Sequence, residues 1–255
     1  MNPSFRIIIA RALALTVLAL PCQAQRAGGR ILDTNVNSWF VYAGDHQIKG
    51  PWGVYSEMQV RRSDIVAIWQ QFQVRDAVTY RFSPRVQAAV GYVFTNTLPY
   101  GDFPAARSFT EQRTYQQIAL KHGVGALELE HRFRTEQRWI QNFTGATDYF
   151  WRYQNRVRYQ ARVVLPITKT DSAGHQWYLF GGNEILVQYG PNRGPNRFDQ
   201  TRPFAGVGYK LTRNNKVEVG YLNQYIIQRN DRIIESDHTF RVQWSSSTPL
   251  GKLFR

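Results

Sequence analysis

The sequence predicts an all-β protein closed into a single antiparallel transmembrane barrel with an arginine- and glutamate-rich interior. Three observations carry that expectation. The chain opens on an export signal, apolar and polar residues then alternate at strand length almost to its end, and its positive charge is carried mostly by arginine.

The signal comes first. Met1 to Arg6 is a short positive start, Ile7 to Leu20 is apolar apart from Arg11 and Thr16, and Cys22-Gln23-Ala24 sets small residues three and one positions before a cut after Ala24. This is the layout of a cleaved secretory peptide. The apolar run falls short of the about 20 residues of a comfortable membrane span, which disfavours a retained anchor. Pro21 stands where a lipidated Cys22 would need a small residue. The expected division is residues 1–24 as signal and residues 25–255 as one barrel domain. Cleavage would remove the one cysteine, leaving neither a disulfide nor a thiol nucleophile; closing a sheet is another way to stabilise an exported chain.

The charge is unusual in kind. Net charge is +14, from 26 arginines and 6 lysines against 18 acids. Lysine is the ordinary solubilising cation, whereas arginine suits planar pairing with carboxylates in confined surroundings. Mean hydropathy is -0.44. That value suits a soluble protein, but a membrane barrel shows it too, because only alternate strand residues need be apolar.

Alternation is therefore the test. Trp52, Val54, Met58 and Val60 share one face of the stretch Trp52–Arg61, with Glu57, Gln59 and Arg61 on the other. Over Ile68–Arg81, Ile68, Phe72, Val74, Val78 and Tyr80 oppose Gln71, Gln73, Arg75, Thr79 and Arg81, with Asp76 misplaced on the apolar face. Val86, Ala88, Val90, Tyr92 and Phe94 share a face of the next strand. The two clearest strands flank the centre. In the first, Leu127, Leu129, Phe133 and Trp139 oppose Glu128, Glu130, Arg132, Arg134, Glu136 and Arg138. In the second, Trp151, Tyr153, Val157, Tyr159, Ala161, Val163 and Leu165 oppose Arg152, Gln154, Arg156, Arg158, Gln160 and Arg162. A helix would scatter these charges round its circumference.

Further strands are expected at Asn37–Ile48, Thr110–Lys121, Gln176–Gln188, Arg202–Leu211, Lys216–Gln228 and Ile233–Trp244. Turn signals stand at Ser83-Pro84, His122-Gly123, Thr170–Gly174 and Arg213–Asn215, alternating with longer polar segments at Thr95–Phe109, Ile140–Tyr149 and Tyr189–Gln200. Short turns at one end and longer loops at the other suit an outer-membrane barrel. Eleven strands are counted in this way. Single-chain bacterial barrels have an even number, so twelve are expected, the last near the N-terminus or at Leu250–Arg255, with ten as the alternative. Trp139 and Trp151 flank one loop at one depth, as in an interfacial aromatic girdle, with Trp52 and Trp177 placed for the opposite one.

The chain resembles an uncharacterised family of exported proteins grouped with outer-membrane β-barrels. Trp39-Phe40, SEMQVRR, ELEHRFRTEQRW, RYQNRVRYQ, RPFAGVGYKL and EVGYLNQY carry the resemblance, which covers most of Trp39 to Trp244. It implies a barrel in the outer membrane of a Gram-negative bacterium. It brings no activity, so no functional residue is carried over.

The candidate site is the charged face of the two central strands. Arg132, Arg134, Arg138, Arg152, Arg156, Arg158 and Arg162 are expected to line the lumen, with Glu128, Glu130 and Glu136 as salt-bridge partners of arginines on the adjacent strand. One role for this ladder is structural, filling the barrel and fixing register. The other is a narrow anion path, because Arg152, Arg156, Arg158 and Arg162 have no acid among them on their strand. Expected partners are outer-membrane lipid and small anionic solutes, and export argues against nucleic acid. No cofactor or metal is expected: none of His46, His122, His131, His175 and His238 has zinc-helix spacing, and there is no phosphate loop or G-x-S-x-G elbow. A lipid-modifying enzyme is disfavoured, since Asp237 and His238 are neighbours in a strand and point to opposite sides. Gly206-Val207-Gly208 reads as a close-packing point in the wall. A soluble periplasmic barrel or sandwich with a basic core is the competing architecture.

Overall fold

A computed structural model describes residues 29–253, so the signal expected over residues 1–24 lies outside the described residues. The eleven strands counted in the sequence all form: β1 (Ile31–Lys49), β2 (Trp52–Ser63), β3 (Ile68–Ser83), β4 (Val86–Thr97), β5 (Phe109–Val124), β6 (Leu127–Phe143), β7 (Tyr149–Pro166), β8 (Gln176–Tyr189), β9 (Phe198–Lys210), β10 (Asn215–Ile227) and β11 (Ile233–Ser246). They close into one barrel in chain order. Each strand pairs with its chain neighbours antiparallel, in two-residue periodicity that sends successive side chains in and out.

Two expectations are corrected. Among the described residues the strand number is eleven, neither twelve nor ten, and the sheet is not wholly antiparallel. β1 and β11 pair in parallel from Ile31 opposite Ile233 to Gly44 opposite Ser246. The two facts have one cause. Antiparallel neighbours alternate in direction, so with an odd number the first and last strands run the same way and close the barrel only as a parallel pair. Leu250–Leu253, within one of the two places where a twelfth strand was expected, is a short helix, α1.

Connections differ between the two ends. Gly50-Pro51, Pro84-Arg85 and Gly125-Ala126 make tight turns at the end where β1 finishes, and residues 98–108, 144–148 and 190–197 make loops at the other. The turn expected at His122-Gly123 sits three residues later, at Gly125-Ala126, because β5 runs to Val124. Gly125 there has φ of 61°, a left-handed value that glycine takes without strain. Residues 167–175 break the pattern as a longer connection at the tight-turn end.

The faces separate sharply. Outward side chains include Phe40, Val78, Val90, Ile118, Phe133, Val157, Leu179, Val219 and Phe240, all exposed. Trp52, Trp177 and Trp244 are exposed near the tight-turn end, and Trp69, Tyr149 and Trp151 near the loop end. Asp76, the misfit of its apolar face, does point outward and takes a 2.6 Å hydrogen bond from Ser56 Oγ on β2. His131 also lies outside, with Nδ1 2.9 Å from the Tyr159 hydroxyl. Inside, aromatic and aliphatic clusters are small. Ala77, Ala89, Val93 and Tyr115 form one, and Trp39, Val41 and Leu222 another. The glycines of Gly206-Val207-Gly208 are where inner rings lie against the wall. A Cβ on Gly206 would stand 2.6 Å from Phe180 Cζ, and one on Gly208 2.1 Å from Tyr178 Cζ.

Candidate functional site

Most of the barrel interior is polar. Glu136 is its centre: fully buried on β6, it receives Arg158 Nη1 at 2.8 Å on one oxygen and Arg156 Nη2 at 2.7 Å on the other, with Arg134 Nη1 at 3.8 Å. β6 and β7 set Glu136 directly opposite Arg156, and Arg134 opposite Arg158, so the contact follows from register. Arg158 reaches the other way to Glu184 on β8 at 2.7 Å. Arg156 reaches to Asp199 on β9 at 2.8 Å, and Arg162 to Glu218 on β10 at 2.8 Å. A single arginine thus ties two carboxylates on different strands, which the several donors of its planar fork allow.

All seven predicted arginines lie on the lumenal side, and Glu136 and Glu130 pair with arginines of the adjacent β7 as expected, while other partners differ. Arg156, Arg158 and Arg162 are paired with acids of β6, β8, β9 and β10, so the view of the β7 set as uncompensated is corrected; of the four, Arg152 has no carboxylate within 4.0 Å among the described residues. Arg138 pairs with Glu111 and Asp199 and not with β7. Arg132 donates to Glu184 at 2.8 Å, and Arg134 to Gln117 at 3.0 Å with its guanidinium 4.5 Å from the Tyr115 ring centre. Glu130 meets Arg162 at 3.3 Å and Lys121 at 2.6 Å. Glu128 is 51% exposed at the rim, with Lys121 3.9 Å away and no arginine partner, which corrects its assignment.

Several lumenal residues fall outside the predicted set. Glu57 accepts from Arg75 at 2.8 Å and from Tyr55, and Glu111 accepts from Arg113 at 2.6 Å. Arg61, Arg202 and Arg241 also face inward. Each stands on a strand with alternating polarity, and that alternation was the available signal. Isolated acids such as Glu184, Asp199 and Glu218 give no sign in sequence of partners one to three strands away.

Asp33, Glu235 and Asp237 gather at the loop end, on the parallel seam where Asp33 faces Glu235 and Asn35 faces Asp237. Loop 98–108 folds over them. Tyr100 donates to Glu235 at 3.0 Å, and a Cβ on Gly101 would stand 2.9 Å from Asn35 Oδ1. Burial, and next the Glu235 carboxylate, push the Tyr100 phenol well above its usual pKa. Lys121, Lys210, Arg213 and Lys216 stand at the opposite end. Asp237 is buried inward and the neighbouring His238 faces out, where its Nδ1 lies 2.6 Å from the Tyr221 hydroxyl.

These side chains enclose a cavity of about 670 Å³, lined from Tyr100 at the loop end to Arg213 at the other. Fifteen arginines and lysines line it against six acids. Asp33, Glu136, Asp199, Glu218 and Asp237 are buried behind that lining, and counting them still leaves the cations in excess.

A family model described as a protein of unknown function, DUF2490, matches residues 36–234, which are β1 to the start of β11. The chain belongs to the DUF2490 family. It is also similar to an uncharacterized protein of Methylorubrum extorquens, 28% identical over 173 residues, covering 67% of this chain and 70% of that protein. No solved structure matches. The matched region takes in every arginine and glutamate of the Glu136 network.

Proposed function

We propose that the protein is an outer-membrane barrel whose lumen is a narrow, anion-preferring passage for small acidic solutes. The observation that carries the reading is the fifteen-to-six excess of cationic over acidic side chains around the cavity. A lining of one sign, set in low-dielectric walls, concentrates counter-ions and excludes the other sign. Ion pairing within the wall lowers this field without cancelling it, and Arg61, Arg152 and Arg241 keep guanidiniums free of any carboxylate within 4.0 Å among the described residues.

Membrane placement is supported by the outer surface. Soluble monomers rarely expose apolar patches beyond about 300–600 Å², whereas here apolar side chains face outward on every strand, with tryptophans near both ends. The strands run from 12 to 19 residues, longer than the about 9–11 that a tilted membrane strand needs. The export signal read at residues 1–24 is consistent with that route.

The proposal is tested in planar bilayers bathed in asymmetric potassium chloride. The reversal potential is expected on the chloride side, and Arg61→Gln together with Arg152→Gln should move it at least halfway towards zero. A cation-selective reversal potential would contradict the reading. A second reading, a filled barrel that conducts nothing, is favoured by the Glu136 network that spans the interior from β6 to β9. Silence in several salts, from protein shown to be inserted, would support that reading.

A further inference from the structure

We propose that the lumen holds a specific binding subsite for a carboxylate-bearing solute, formed by Arg61 and Arg202 against Trp39, with Arg241 beside them on the next strand of the seam. The inference rests on the solute-accessible lumen proposed above and names the group it would bind.

The placement follows from register. Trp39 on β1 stands directly opposite Arg61 on β2 and directly opposite Arg241 on β11, so three adjacent strands present arginine, tryptophan, arginine across the parallel seam. Arg202 arrives from β9. Its guanidinium carbon lies 5.8 Å from the Trp39 ring centre, and that of Arg61 lies 3.8 Å from it. Trp39 is itself held by donating Nε1 to Gln70 at 3.3 Å. An indole stacked on a guanidinium holds it in one plane, which leaves the Nη1–Nη2 edge of Arg61 to make a fork.

Arg61 and Arg241 differ from most of the interior in what they bond. Arg61 gives Nε and Nη2 to the Gln59 amide oxygen, at 3.0 and 2.7 Å, and to no acid. Arg241 bonds the Gln243 amide oxygen, and its buried Nε has no partner. Arg202 bonds Gln200 at 2.6 Å and has the shared Glu184 at 3.4 Å, and its buried Nε is also without a partner. Arg75, Arg113, Arg138, Arg156, Arg158 and Arg162 are instead matched to carboxylates. At Arg61 and Arg241, neutral amides hold the guanidiniums in place without neutralising them. Buried cationic donors that lack a carboxylate are costly unless an anion completes them. A planar carboxylate matches the arginine fork better than a spherical halide does. The cavity, about 670 Å³, lies within the range of about 300–1,000 Å³ that accommodates small ligands.

The test is titration calorimetry on the full chain in detergent micelles, with sodium glucuronate, glucose and inorganic phosphate as probes. Saturable one-to-one binding of glucuronate is expected, with none of glucose and weaker binding of phosphate. Arg61→Gln and Arg241→Gln should each weaken glucuronate about tenfold, the effect of losing one charge-assisted hydrogen bond. Lys210→Gln, at the far end of the lumen, should change affinity less than twofold. Heat-modifiable gel mobility checks that each variant is folded, and Arg241→Gln serves where Arg61→Gln does not fold. Absence of saturable glucuronate binding, tighter binding of phosphate, or equal weakening by Lys210→Gln would each overturn the subsite. Anion-selective conductance without saturable binding would remove the subsite and leave the passage standing. Saturable binding with silent bilayers would do the reverse.

Discussion

Glu136→Gln is expected to destabilise the barrel by about 3–5 kcal/mol, the cost of removing one partner of a buried ion pair. Glu136 is fully buried and its two oxygens are shared between Arg156 and Arg158. Glutamine keeps the shape and one acceptor but removes the charge, leaving guanidiniums crowded in a confined space. Arg134, 3.8 Å away, adds to the repulsion. Glu128→Gln is the matched control. That residue is 51% exposed with its cation at 3.9 Å, and an exposed pair contributes about 0–1 kcal/mol. Urea unfolding of both variants in the same micelles measures the contrast. Adding Arg156→Gln to Glu136→Gln should recover part of the loss, because the two changes act on one contact. Equal stability of the two single variants would mean that the network does not hold the barrel together.

The second large effect concerns the outside. Val157 is near the middle of β7, is 38% exposed and faces outward. Val157→Arg should cost about 2–4 kcal/mol in a bilayer, the value for an arginine near the midplane. Gln87→Lys places a charge on the inner face instead. Gln87 already donates to Asp45 at 3.1 Å, and lysine would meet the same carboxylate, so little loss is expected. Folding yield into lipid vesicles, read by heat-modifiable mobility, separates the two. In a soluble barrel, Val157→Arg would be as mild as any surface change.

Both predictions draw on what the sequence makes legible. Period-two alternation is a local property, so it located all eleven strands and sorted faces correctly even at Asp76, whose outward direction is satisfied by Ser56. It also put the β6 and β7 charges inside. Ion-pair partners are a different matter. Arg156 finds Asp199 two strands away and Arg162 finds Glu218 three strands away, and contacts across a lumen depend on closure and tilt that no single strand encodes. For that reason the four β7 arginines read as uncompensated when three are paired.

Strand number was misjudged for a related reason. The even-number rule describes barrels whose ends meet antiparallel, and nothing in Ile31–Gly44 or Ile233–Ser246 taken alone signals a parallel seam. The seam matters to the proposed subsite, because it is the parallel register that sets Arg241 beside Trp39. Alternation shows that Arg61 faces inward; only closure shows what it faces.

The central claim is that the apolar outer face meets lipid, and fractionation of cells expressing the full chain tests it most directly. The protein is expected in the outer-membrane fraction after washing with alkaline carbonate, migrating faster on gels when unheated than when boiled. Recovery of a folded monomer in the soluble periplasm would contradict the account.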